Sequence, residues 1–173
     1  PRGSGNTKAV SDYCVEFAKE RGLWVKQDEL YNIIIKKPAT KGKENSPAVI
    51  MQGHLDMVTE KTNDSNHDFM KDGLELMIEG DFVTANKTTL GADNGIGVAA
   101  AMAILADKSL VHPPLEVLVT VDEETGMYGA FALEGGLLQG KTLLNLDSEA
   151  EGELYVGCAG GVDTTAKFAY TPV

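Results

Sequence analysis

At 173 residues the chain suits one domain with a sizeable hydrophobic core, since domains commonly run ~100–200 residues, and a second full domain is not expected. Apolar residues at 43% and charged residues at 24% are the proportions of an ordinary folded protein and exclude a disordered or membrane-embedded chain. A formal net charge of -11 argues against nucleic acid and anionic membranes as partners, because both repel an acidic surface, whereas excess carboxylate suits divalent cations.

In chain order, apolar residues recur at helical spacing from Asn6 to Arg21 (Val10, Tyr13, Cys14, Phe17, Ala18), and Gly22 follows as a stop, which predicts an amphipathic helix. Trp24–Asp28 and Tyr31–Lys37 read as strands paired across a short turn, the second dominated by Ile33, Ile34 and Ile35. Beyond the polar loop Pro38–Pro47, the apolar run Ala48–Gln52 suits a buried strand and ends at His54. Lys61–Gly80 is polar and reads as a surface excursion, and Phe82–Thr84 with Thr88–Leu90 is expected to form a brief hairpin around Ala85-Asn86-Lys87.

Asn94–Lys108 reads as a buried helix with Ile96, Ala100, Ile104 and Leu105 near one face, ended by Pro113-Pro114. Leu115–Val121, Thr142–Leu146, Leu154–Gly157 and Thr164–Tyr170 follow as strands. Strands alternating with helices define an α/β layered fold around a central sheet, mixed because the early strands are hairpin-connected. Cys14 and Cys158, the only cysteines, lack CxxC spacing and point to a reducing compartment; the NxS/T matches at Asn63 and Asn86 are treated as chance. No run of about 18 apolar residues spans a membrane, and the start of the chain has no signal-peptide pattern.

In α/β sheets reactive groups collect where strands end. Polar clusters stand at such places: His54-Leu55-Asp56, Asp93-Asn94, Asp122-Glu123-Glu124 and Asp147-Ser148-Glu149. Neighbouring strands lie ~4.8 Å apart, so acids at several strand ends can share one small volume, where their repulsion calls for a cation. One histidine among carboxylates suits zinc, cobalt or manganese better than calcium or magnesium.

Asp56, two residues beyond His54, can accept the second imidazole N–H and fix its tautomer. Of Glu123 and Glu124, one can bind metal while its neighbour acts as general base. Each cluster also has an ordinary reading: a structural His-Asp pair, a solvated acidic turn, and a helix N-cap at Asp93 or Asn94. The turn Leu90–Gly97 is not a phosphate loop, and there is no HExxH, no GxSxG and no cysteine beside a histidine. His67 and His112 lie in polar or Pro-flanked segments and are not favoured as ligands.

Taken together, Pro1–Asn6, Gln52–Val58, Thr88–Gly95, His112–Glu116, Asp122–Gly126 and Asp147–Glu149 resemble, in order and essentially end to end, the aminoacyl-histidine dipeptidase family of the M20 metallopeptidases. The opening Pro1-Arg2-Gly3-Ser4-Gly5 is therefore read as native sequence rather than an expression scar. The resemblance implies a layered α/β/α catalytic domain and two zinc ions, with cobalt or manganese as substitutes. His54, Asp93 and Asp147 would hold one ion, and Asp93 and Glu124 the other, with Asp93 bridging. Asp56 would orient His54, and Glu123 would be the general base that deprotonates water between the metals and passes the proton to the leaving amine.

The same resemblance implies hydrolysis of Xaa-His dipeptides in the cytoplasm by a full-length enzyme that is a homodimer. Other M20 activities, tripeptide aminopeptidase or N-acyl amino-acid deacylase, stand as alternatives, as does a metal-binding structural module without turnover. Family members carry a last histidine ligand near their C terminus and an inserted lid domain, neither of which is found here. Residues 1–173 are therefore expected to be part of a catalytic domain, impaired in turnover, with one zinc held more tightly than the other and a sheet edge left open to self-association.

Overall fold

The computed structural model describes residues 1–148, 150–158, 160–162 and 164–171; the expected cluster member Glu149 and the terminal Pro172-Val173 lie outside them. Helix α1 spans Lys8–Glu20, and strands β1 (Trp24–Gln27), β2 (Ile33–Lys37) and β3 (Val49–His54) follow. β4 (Leu76–Glu79) and β5 (Phe82–Ala85) come next, then α2 (Ala92–Ala106), β6 (Leu115–Thr120), the single helical turn α3 (Tyr128–Phe131) and β7 (Thr142–Asn145).

Five strands form one sheet in the order β1-β2-β6-β3-β7. β1, β2 and β6 pair antiparallel, whereas β3 pairs parallel with both β6 and β7, so the sheet is mixed as expected. In β2 the alternation of strand side chains sends Ile33 and Ile35 to one face, with Val117 and Val119 of β6 and Met51 of β3. That face is covered by Cys14 and Ala18 of α1 and by Val98, Ala101 and Leu105 of α2. Ile34, Ile50 and Leu118 point the other way and are covered by Leu133, Leu137 and Leu138, which follow α3. Both long helices therefore share one layer, and the opposite layer is built from α3 and an irregular segment.

Helix α1 ends as the sequence predicts. Gly22 sits at φ 65°, its N–H bonds Lys19 and the N–H of Leu23 bonds Ala18, the paired bonds of a Schellman stop.

Three expectations are corrected. Phe82–Ala85 does not pair with Thr88–Leu90; it pairs antiparallel with Leu76–Glu79, inside the stretch read as a polar excursion, and Thr88 makes only an isolated bridge to Lys61. Gly80-Asp81 supplies a two-residue turn, with Gly80 at φ 62°, and Leu76, Met77 and Ile78 supply the strand residues that the surrounding polar sequence masks. Helix α2 presents Asn94, Gly97, Val98, Ala101 and Leu105 to the sheet, and Ile96 is 71% exposed, because packing on β3 sets the helix phase. Finally, the described residues of Leu154–Gly157 and Thr164–Tyr170 form no strand, and Leu154, Val156, Phe168 and Tyr170 stand exposed.

β1 and β7 are the two edge strands of the sheet, and Leu143 and Leu144 of β7 are about half exposed. Cys14 is buried and Cys158 exposed, and both are free thiols. No helix among the described residues is long and apolar enough to cross a membrane.

Far from the strand ends that carry the acids, Glu116 is a buried charge with a complete set of partners. Its carboxylate meets Lys36 Nζ at 2.7 Å and accepts the N–H groups of Gln139 and Gly140, each at 2.8 Å. Burial alone would raise its pKa, but the bond from Lys36 and the two backbone donors hold it below the usual glutamate value. A depressed pKa contributes stability above the unfolded-state value, and that contribution is lost as pH falls through the folded value. Glu116→Gln is expected to lower stability by roughly 1.5–3 kcal/mol at neutral pH and by progressively less toward pH 4. Denaturant unfolding at a series of pH values checks this, and an equal loss at every pH would contradict it.

Candidate metal centre

Because β6, β3 and β7 run parallel, their C-terminal ends share one edge of the sheet. His54 is the last residue of β3, Asp122-Glu123-Glu124 follow β6 and Asp147 follows β7. The chain turns sharply at Asp122, which takes φ 54°, a left-handed conformation that aspartate tolerates better than most residues. Buried Asn32 steadies the exit from β6 by accepting the Val121 N–H and donating to the Gly129 carbonyl.

Asp93 arrives from a different direction, at the start of α2. Gly91 at φ 71° makes the turn, and Asp93 and Asn94 depart from helical dihedrals, so regular helix begins only after them. The Asp93–Asn94 peptide is cis. Asn94, which sequence reasoning singled out only as a possible N-cap, is buried and bridges the site. Its amide donates to the Leu146 carbonyl at 2.7 Å and to Asp147 Oδ1 at 3.0 Å, while its Oδ1 accepts the His54 N–H at 3.3 Å. A Cβ at position 53 would lie 2.2 Å from that oxygen, so Gly53 is what lets Asn94 approach β3.

The His54 ring is buried, and its Nε2 faces acids on three segments. Asp93 Oδ1 lies at 2.9 Å, Asp147 Oδ1 at 3.4 Å and Glu123 Oε2 at 4.0 Å. Two overlapping sets of potential ligand atoms lie within 4.8 Å of one another: His54, Asp93 and Glu124, and His54, Glu123 and Asp147. All six residues singled out from the sequence are thus brought to one locus. The grouping draws Glu123 among the potential ligands, beside the metal-binding residues that the resemblance implies.

Asp56 does more than the spacing alone foretold. His54 Nδ1 faces both the Asp56 carbonyl, at 3.0 Å, and its carboxylate, at 3.3 Å. The same fully buried carboxylate accepts Ser4 Oγ at 2.7 Å and the N–H groups of Glu123 and Glu124 at 3.1 and 3.2 Å. Asp56 therefore fixes the histidine and the acidic turn together. With Nδ1 donating to Asp56, Nε2 is the nitrogen turned to the acids, where a bound cation would take the place of its proton.

Sequence reasoning missed Arg2 and Ser4 as site residues, although their Pro1–Gly5 segment was among those that carried the resemblance. The other two histidines stay apart. His112 precedes β6 at the opposite edge of the sheet and bonds the Pro113 carbonyl, and His67 packs edge-on against Phe69.

Electrostatics supply the test of whether these residues fit a cation. Burial pulls the His54 pKa down, but the hydrogen bonds to Asp56 and Asp93 and the charges of Asp147 and Asp56 outweigh it and push it up to about 9. Burial likewise opposes ionisation of Asp56, yet His54, Ser4 and two backbone donors hold it down at about 2. Glu124 and Asp147 are raised, first by burial and then by their acidic neighbours, including Asp93. Carboxyls pushed toward protonation around a histidine pushed toward its cation form an excess of negative charge that a metal ion would neutralise. The donor set fits one or two divalent cations.

An α/β sheet that gathers one imidazole and several carboxylates at the ends of parallel strands has the layout of a metallohydrolase site. Over most of its own length the chain is similar to known dipeptidases. It is 54% identical over 166 residues to the cytosol non-specific dipeptidase of Escherichia coli (strain K12), a match that covers 96% of this chain and 34% of that protein. The aminoacylhistidine dipeptidase of Vibrio alginolyticus superposes with a TM-score of 0.88 at 52% identity, over 91% of this chain and 32% of that one. A tripeptidase from Staphylococcus aureus shares the fold, with a TM-score of 0.71 at 24% identity over 86% of this chain and 40% of that one. No family model matches the chain, and it spans about a third of the length of the dipeptidases it matches.

Proposed function

We propose that this chain is the metal-binding part of the catalytic domain of a cytoplasmic dipeptidase that uses two zinc ions to hydrolyse dipeptides, Xaa-His dipeptides among them. The observation that carries the reading is the convergence of Asp93, Glu123 and Asp147 on Nε2 of a histidine whose other nitrogen is tied to buried Asp56. His54, Asp93 and Asp147 would hold one ion, and Asp93 and Glu124 the other. When bound, the ions supply Lewis acidity, polarising the scissile carbonyl and lowering the pKa of water.

The chain's own residues do the rest. Asp56 holds His54 in one tautomer and, through the Glu123 and Glu124 amides, fixes the direction from which both glutamates approach. Glu123 takes the proton of the attacking water at its carboxylate and returns it to the leaving amine nitrogen. The family resemblance assigns the first ion three ligands from this chain and the second only two, so the first is expected to bind more tightly. Residues contributed by a lid domain, a final histidine ligand and a homodimer partner complete this reading of the whole enzyme.

Zinc titration by calorimetry, paired with assays on Xaa-His dipeptides, tripeptides and N-acyl amino acids, tests the proposal. Zinc binding in two unequal steps together with preferential Xaa-His hydrolysis by the full-length enzyme supports it. Absence of zinc binding refutes the metal centre, and equal affinity for two ions refutes the unequal assignment.

A further inference from the structure

The guanidinium of Arg2 makes no direct ion pair with any described carboxylate and instead ties two separate parts of the site together. Nη1 donates to the carbonyls of Leu55, at 2.7 Å, and Asp56, at 3.2 Å, on the segment that follows His54. Nη2 donates to the carbonyl of Gly91, in the turn that delivers Asp93. The chain around Arg2 is itself pinned. Its carbonyl accepts the Met57 N–H at 3.1 Å, Gly3 bridges to Met57 in parallel register, and Ser4 reaches Asp56.

The fork lies directly against the start of α2. A Cβ at position 91 would lie 2.6 Å from Nη2 and one at position 95 would lie 2.7 Å from it, so the guanidinium reaches its place only because both positions are glycine. β3 and α2 bring His54 and Asp93 to the site from separate elements, and their 2.9 Å approach depends on how the two segments are spaced. We propose that Arg2 is a positioning residue of the metal centre: its guanidinium sets the spacing between the His54–Asp56 segment and the Gly91–Asp93 turn. Arginine suits this task because its planar fork presents separate donors in two directions at once, whereas a lysine ammonium is a single point.

This inference rests on the metal-centre reading above, and its test separates the two. Affinity for Zn2+, and the visible absorption of the Co2+-substituted protein, are measured for the unsubstituted protein, Arg2→Met, Gly95→Ala and the double variant. Thermal unfolding of each metal-free protein is followed alongside. Gly95→Ala keeps Arg2 but drives a methyl into its guanidinium, while alanine favours the helix more than glycine does, so lost fold stability would not explain a lost metal.

Both single variants are expected to bind zinc about 10–100-fold more weakly, the usual range when outer contacts of metal ligands are removed. Their Co2+ spectra should be altered, and the double variant should be no weaker than Arg2→Met, because the methyl then has no guanidinium to displace. Unchanged zinc affinity and Co2+ spectrum in either folded variant would overturn the role of Arg2. Failure of the unsubstituted protein to bind either metal would overturn the metal centre itself.

Discussion

Exchange of Glu123 for glutamine is expected to lower kcat for dipeptide hydrolysis by about 10²–10⁴-fold, the usual contribution of a positioned general base. Glutamine has nearly the same shape as glutamate but no basic oxygen to take a proton from water. The backbone N–H of residue 123 still reaches Asp56, so the acidic turn should keep its place. Steady-state kinetics in the full-length enzyme and zinc content of the same preparations are the measurements to make. Lost turnover with zinc retained assigns proton transfer to Glu123. If zinc is lost as well, Glu123 is a ligand, as its grouping with His54 and Asp147 allows. Unchanged hydrolysis would remove Glu123 from the mechanism.

Asp56→Ala is expected to act more broadly, because this carboxylate carries several jobs at once. It contacts His54 Nδ1 and accepts Ser4 Oγ and the backbone donors of Glu123 and Glu124. Removing it frees the imidazole to change tautomer and leaves part-buried N–H groups without their acceptor, which costs about 1–3 kcal/mol for each group that stays unsatisfied. Zinc affinity is expected to fall by at least the ~10–100-fold typical of lost second contacts to a ligating histidine. Calorimetric titration reads the affinity, and 15N shifts of the His54 ring read the tautomer. Wild-type affinity with an unchanged ring signal would show that the Asp56 carbonyl, 3.0 Å from Nδ1, suffices to orient the histidine.

Much of this was legible in the linear sequence. The helical spacing that ends at Gly22, the apolar runs of β2, β3 and β6, and the acids just beyond strand ends are local patterns, and local patterns survive without knowledge of the fold. The polar clusters that contain His54, Asp56, Asp93, Glu123, Glu124 and Asp147 were visible at strand ends and at a helix start, while the choice of these six among them came from the family resemblance. Where local pattern and long-range pairing diverged, the sequence misled. Leu76–Glu79 is a strand only because Gly80-Asp81 turns it against Phe82–Ala85, and Ile96 faces outward because packing of α2 on β3, with Val98 and Ala101 in the core, sets the helix phase.

By itself the sequence determined the class of the fold, the polar clusters from which the candidate site is drawn and the pairing of His54 with Asp56, since each depends on residue type and short-range spacing. Tertiary structure alone decided which segments meet. Asn94 reaches Asp147 across 53 positions, Ser4 reaches Asp56 across 52, and Arg2 reaches Gly91 across 89. In the chain Asn94 was marked only as a residue at a helix start, and Arg2 and Ser4 only as part of a resembling segment, with no sign of what they contact. Their role comes from the parallel order of β6, β3 and β7, which puts distant strand ends side by side and leaves each buried polar group to find its partner there.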